Sequence, residues 1–248
     1  MRIVLSTESL KGYGLNRIFR FAKEAGFDGL DLTMDNGEYD SLDTEYIKEL
    51  SNATDMPIVA IGTPKTTSKT KIEEAIRMAK ELDTHIIVIQ PPKLLDVSLA
   101  KWLKTHIPKI RQKENISIAL ENASSKTMLG FIPEYSMSSL NELKKFKHAC
   151  LDISRVAEKK EDIIRVYGSL KKYLVHIHLS NIYRGKPYAP PETGSLPLES
   201  LLSKLKKDKF KGAVSLRVKP KNFHVGNEEK MLDSLKSSLK FCRKYLGE

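Results

Sequence analysis

Cysteine is nearly absent. The 248-residue chain has two, Cys150 and Cys242, far apart and without the spacing of a metal site. That excludes a disulfide framework and fits free thiols in a reducing compartment. Long hydrophobic runs are missing too: nothing approaches the roughly 18 apolar residues of a membrane helix, so no membrane partner is expected. The opening "MRIVLSTESL" turns polar too quickly for a secretory signal, and the expected location is cytoplasmic. No Pro/Gly/Ser-rich linker, break in composition, heptad array or repeat divides the chain, so residues 1–248 read as one domain. A glycine-rich phosphate turn after the first apolar run is also lacking, since "STESLKGYG" is not one, and this argues against a dinucleotide-binding open sheet.

Positive charge is in excess, with 42 Lys and Arg against 31 Asp and Glu, a net of +11. The lysines are scattered through "KKFKH", "SLKKY", "LSKLKKDKFKG" and "FCRKYLGE", mostly at helical positions beside apolar residues. Solvated helix faces explain them. No aromatic or Gly-rich segments interleave with them, so a nucleic-acid partner is not expected, whereas a small anionic substrate suits the charge.

Short β-rich runs alternate with amphipathic helical segments along the whole chain. The strands are read at 2–6, 28–32, 57–62, 85–90, 116–121, 148–153, 174–180 and 213–218. Helical spacing of apolar residues marks segments such as "LNRIFRFAKEAG", "KIEEAIRMAKEL" and "EEKMLDSLKSSLKFCRKYL", with Gly26 as a stop and Ser139 or Thr44 as a start. Strict alternation implies parallel strands with right-handed crossovers, and eight such units imply a closed (β/α)8 TIM barrel.

Strand side chains alternate between faces. "VHIHLSN" puts Val175, Ile177 and Leu179 on one face and His176 and His178 on the other. The same reading turns Asp31, Gln90, Glu121, Asp152 and Arg217 inward at the ends of their strands. Six strands thus end on a polar group at the end of the barrel where catalysis occurs. Buried charges are costly unless paired or functional, which leaves either a site or a ring of salt bridges among Arg217, Glu121 and Asp152. Glu121, Asp152 and His178 offer the oxygen and nitrogen donors of a divalent metal such as Mn2+, Mg2+, Co2+ or Zn2+. Such an ion polarises a carbonyl, and a carboxylate beside it moves a proton at carbon. Arg217 and Lys219 suit a phosphate or carboxylate.

These segments resemble the xylose isomerase-like TIM-barrel superfamily, which includes sugar and sugar-phosphate isomerases and epimerases and endonuclease IV. "FDGLDL" looks like its second-strand signature and "ISIALEN" like its fifth-strand "LEN" motif, which places Glu121 on a metal-binding and acid/base carboxylate. "CLDISR" resembles the sixth-strand "LD-x-x-H" motif, with Asp152 as metal ligand. "VHIHLSN" resembles the seventh-strand "HxHxxD" motif, with His178 as the metal-binding histidine, and "ETGSLPLESLLSKLK" is similar to a further loop-and-helix motif. The chain departs from the pattern at four places: Arg217 falls on the eighth-strand carboxylate, Arg155 on the sixth-strand histidine, Asn181 on an aspartate and Gln90 on the fourth-strand histidine.

The resemblance implies a sugar or sugar-phosphate isomerase or epimerase, metal-assisted or not, with Glu121 as a single base. His176, Arg155, Arg217, Gln90, Asp31 and Lys219 would then contact a small anionic or carbohydrate substrate. Two alternatives stay open. One is a metal-free or non-catalytic barrel whose arginines bind an anionic ligand. The other, weakened by the replaced histidines, is an endonuclease IV-like repair enzyme.

Overall fold

The computed structural model describes residues 1–35 and 37–247. Among them, eight parallel strands close into a barrel: β1 (Arg2–Ser6), β2 (Leu30–Thr33), β3 (Ile58–Gly62), β4 (Ile86–Ile89), β5 (Ser117–Glu121), β8 (Ala149–Asp152), β9 (Leu174–Leu179) and β12 (Ala213–Leu216). The ring closes where the first strand pairs with the last, Val4 in register with Ser215. The expected (β/α)8 TIM barrel is therefore the observed fold. Four further strands form two hairpins on the rim, β6 (Thr127–Met128) with β7 (Ile132–Pro133) and β10 (Asn181–Tyr183) with β11 (Lys186–Ala189).

The helices are α1 (Leu15–Ala25), α2 (Thr44–Thr54), α3 (Lys69–Glu81), α4 (Val97–Glu114), α5 (Leu140–Phe146), α6 (Ile153–Glu158), α7 (Ile163–Leu170), α8 (Leu198–Lys207) and α9 (Glu228–Leu246). Local chemistry sets their ends. Gly26 caps α1 at φ 91°, a left-handed conformation that costs glycine little. Ser139 and Glu142 form a capping box at the start of α5. Thr44 opens α2, but the cap is Asp43, whose side chain accepts from Tyr46 N. No helix among the described residues is long and apolar enough to cross a membrane.

Strand alternation sorts the core into two layers. Ile87, Ile89, Ile118, Leu120, Leu151, Ile177, Leu179, Val214 and Leu216 are fully buried in the layer shared with the helices. Inside the barrel, Val88, Ala119 and Cys150 form one small apolar cluster, and Val4, Val59 and Ala213 another. The polar inward residues complete the interior. The second strand begins at Leu30, two residues later than its sequence suggests. Asp28 there accepts a hydrogen bond from Ile3 N at 2.7 Å. Gly29 adopts φ +152°, where a Cβ would meet the Pro57 carbonyl oxygen at 2.6 Å.

Candidate active site

Six strands deliver their polar ends to one place. Asp152 pairs in register with His178, and His178 with Ser215. Asp31 stands beside Ser6. Glu121, Asp152 and His176 are wholly buried, and Asp31 and His178 nearly so.

Glu121 is the most heavily bonded group. Its Oε2 accepts from Gln90 Nε2 at 2.5 Å and forms an ion pair with Arg155 Nη1 at 2.7 Å. Its Oε1 accepts from Arg217 Nη1 at 2.9 Å and from His178 Nδ1. Burial opposes ionisation of Glu121, but Arg155, Arg217 and His178 outweigh it and hold the carboxyl well below the usual carboxylate range.

His178 is gripped from both ends. Nε2 donates to Asp31 Oδ2 at 3.1 Å while Nδ1 donates to Glu121. Burial disfavours its imidazolium, yet the neighbouring Cys150 and Glu121 and the bond to Asp31 lift it well above the ordinary histidine value. His176 also donates to Asp31 Oδ2, at 3.3 Å, but there burial prevails and lowers its pKa. Ser215 Oγ donates to the same oxygen at 2.7 Å. Burial works against ionised Asp31 as well, and the two histidines still hold it far below its ordinary value.

Asp152 has a helix-capping job that its motif does not name. Its Oδ1 accepts from Arg155 N at 3.0 Å and so caps α6. Its Oδ2 lies 3.6 Å from Arg155 Nε and 3.9 Å from Arg217 Nη1, and accepts from Tyr188 Oη at 3.4 Å. Asn122 fixes its backbone, donating to Asp152 O and accepting from Asp152 N. Arg155 Nη2 donates to Gln90 Oε1 at 3.0 Å, so the residues standing in place of two family histidines bond to each other.

A cavity of about 330 Å3 opens above this ring, lined by hydroxyls and charges that include Thr7, Glu8, Thr63, Lys65, Gln90 and Arg217. Of the sequence-predicted site residues, Gln90 and Arg217 line it, while Glu121 lies behind them. Lys219 is exposed, its Nζ 5.6 Å from the centre of the Tyr188 ring. A second cavity of about 550 Å3 lies at the opposite end of the barrel, flanked by Lys171, Lys172, Lys209 and Lys211. None of the ring residues lines it.

Glu8 escaped the sequence reading. It accepts from Arg217 Nη2 at 2.6 Å and Nε at 2.9 Å, and pairs with Lys65 at 3.2 Å. Burial opposes its ionisation, but Arg217 and Lys65 lower its pKa. Strand alternation does not mark it, because Glu8 lies in the 3-10 helix Thr7–Leu10 that follows β1. Tyr188 stands on the β10–β11 hairpin, which lies outside every strand and helix read from the sequence.

Metal donors are present in two sets, Asp31 with His176 and His178, and Glu121 with Cys150 and His178. The expected trio of Glu121, Asp152 and His178 does not fit an ion. Arg217 Nη1 stands among them, 2.9 Å from Glu121 Oε1, 3.0 Å from His178 Nδ1 and 3.9 Å from Asp152 Oδ2.

Comparison with known proteins agrees with the fold. An uncharacterised protein of Mycobacterium leprae is 23% identical over 282 aligned positions, covering 99% of this chain and 98% of its own. The crystal structure of a 3-keto-D-glucoside 4-epimerase of E. coli superposes with a TM-score of 0.74 at 16% identity, over 98% of this chain and 99% of the other. That of a D-psicose 3-epimerase gives 0.75 at 14% identity and spans 100% of both chains. The xylose isomerase-like TIM barrel family matches residues 19–245, and the chain belongs to that family.

Proposed function

We propose that this protein is a sugar isomerase or epimerase that moves a proton at a carbon of a small carbohydrate held in the mouth cavity. The observation that carries the reading is one guanidinium flanked by two carboxylates. Arg217 lines the cavity, with Glu8 on one side at 2.6 Å and Glu121 on the other at 2.9 Å. A carbonyl oxygen that hydrogen-bonds Arg217 gains charge stabilisation as an enediolate forms. Of the two carboxylates that would accept and return protons at the neighbouring carbons, Glu8 lines the cavity and Glu121 lies behind Arg217, which a ligand must draw aside to expose it. Glu121 is the carboxylate that the fifth-strand motif assigns to this task. Glu8, bonded to the Arg217 that stands at the family's eighth-strand carboxylate position, supplies a second carboxylate. The hydroxyls of Thr7 and Thr63 suit a polyol. The solved neighbours support the class of reaction through their names, a 4-epimerase and a 3-epimerase of sugars.

The test is hydrogen exchange. Ketopentoses, ketohexoses and their phosphates are incubated with the protein in D2O and followed by NMR. Deuterium should enter at a carbon next to the carbonyl of one sugar. Glu121→Gln and Glu8→Gln should each abolish the exchange while circular dichroism stays unchanged. Full exchange in Glu121→Gln would remove Glu121 as the base. No exchange with any sugar would favour the metal-free binding barrel. Its supporting observation is that the ring charges are already paired, and it expects a sugar phosphate or similar anion to raise the melting temperature.

A further inference from the structure

Arg217 comes from the end of β12 and crosses to the three side chains that the family pattern makes metal ligands. Its Nη1 donates to Glu121 Oε1, lies 3.0 Å from His178 Nδ1 and faces Asp152 Oδ2 at 3.9 Å. Glu8 clamps the rest of the guanidinium through Nε and Nη2. Arg155 adds a second guanidinium, whose Nη1 holds the other oxygen of Glu121 at 2.7 Å. Both oxygens of that carboxylate are thus engaged by permanent cations.

We infer that the Arg217 guanidinium is the built-in cation of this barrel and takes the place of a divalent ion. A bound metal would have to expel a side chain that is covalently tethered and held by two carboxylates. It would also meet Arg155 as a like charge. The replacement changes the chemistry of the mouth. A metal offers open coordination positions and displaceable water, whereas a guanidinium offers N–H donors in a fixed fork. The ligand group recognised at Arg217 is therefore a carbonyl, carboxylate or phosphate oxygen that accepts hydrogen bonds, in a site complete without added ions. The inference deepens the functional reading above and rests on the same site, but its test does not require turnover.

Full-length protein stripped with chelator is titrated with Mn2+ in a calorimeter. The series comprises wild type, Glu121→Gln, Arg217→Gln, Arg217→Glu and Arg217→Glu combined with Glu121→Gln. Wild type should show no site that depends on Glu121. A weak site kept in Glu121→Gln, as at Asp31, His176 and His178, does not use the position that Arg217 fills and counts as that result. Arg217→Glu should gain one Mn2+ per chain, and the added Glu121→Gln should remove it. One Mn2+ bound by wild type and lost in Glu121→Gln would overturn the inference. Arg217→Glu gathers carboxylates in a buried place, so its fold is checked by circular dichroism. Should it not fold, Arg217→Gln carries the test, because it vacates the position without adding charge. A folded Arg217→Gln with no Mn2+ affinity would then also overturn the inference. Deuterium exchange that survives chelator agrees with both proposals, and exchange that needs added Mn2+ overturns this one. The expected Mn2+ pattern with no exchange on any sugar would defeat the functional reading alone.

Discussion

Glu121 accepts from His178, Gln90 and Arg217 and pairs with Arg155 in a place that water does not reach. Removing the charge leaves two guanidinium groups short of a counter-ion. Breaking a buried pair from one side costs about 3–5 kcal/mol. Glu121→Gln should therefore lower the urea unfolding free energy by about that much, yet leave a folded protein at 25 °C if its total is in the ordinary range. A loss under about 1 kcal/mol would mean that the ring is open to water, as exposed pairs are. His178 gives the opposite handle on pH. Its folded pKa is raised, so its contribution is fully present below the ordinary histidine value and is lost as pH rises through the folded one. Asp31 and Glu121 are depressed, so theirs is present above the ordinary carboxylate range and is lost only as acid reaches their folded values. Unfolding free energies measured from pH 6 upward should fall on the alkaline side, and His178→Gln should flatten that decline. An equal slope in the variant would remove His178 as its source.

At the scale of single elements, β2 shows why a strand starts where it does. Gly29 packs its backbone against the third strand, with the Pro57 oxygen and Val59 Cγ2 at 2.6 and 2.8 Å from where a Cβ would be. Pairing with β3 shifts register at the next step, between Leu30 and Asp31. Gly29→Ala should destabilise by about 1–3 kcal/mol through overpacking, read from the urea midpoint. It should also disturb Asp31, two residues on. A neutral result would mean that the strands part easily there. The barrel strands themselves were legible, because β-branched runs alternate with helices and one face of each strand is apolar. Ser139 and Gly26 were legible for the same kind of reason, since capping is local chemistry. The rim hairpins were not. "NIYRGKPYA" carries a two-residue turn, with Arg184 and Gly185 both at positive φ, but its strands are short and lack a clean apolar face. Tyr188 reaches Asp152 from that hairpin. Asp152 shows a second limit of reading strands: a motif gives its place at the end of β8, while its partners depend on where α6 begins.

At the scale of the molecule, the ring joins elements far apart in sequence. Glu8 follows β1, Glu121 ends β5, and four steps around the closed order separate these strands in either direction. Arg217, just past β12, bonds to both. No local signal announces such a bridge. Alternation put Glu121 and Arg217 inside, but which carboxylate meets which guanidinium follows only once the barrel closes. The bridge has a measurable signature. If Arg217 binds Glu8 and Glu121 as one unit, loss of either carboxylate changes its position and weakens the other contact. Glu8→Gln alone should cost little, because Glu8 is partly exposed and its pair with Arg217 is screened. In a double-mutant cycle, Glu8→Gln and Glu121→Gln should couple by about 0.5–3 kcal/mol, as residues of one network do. Costs that add within about 0.5 kcal/mol would show that the two carboxylates act independently and that Arg217 does not tie them. Strong coupling would mean that a ligand oxygen drawing Arg217 away from one carboxylate also alters the basicity of the other, across the width of the barrel.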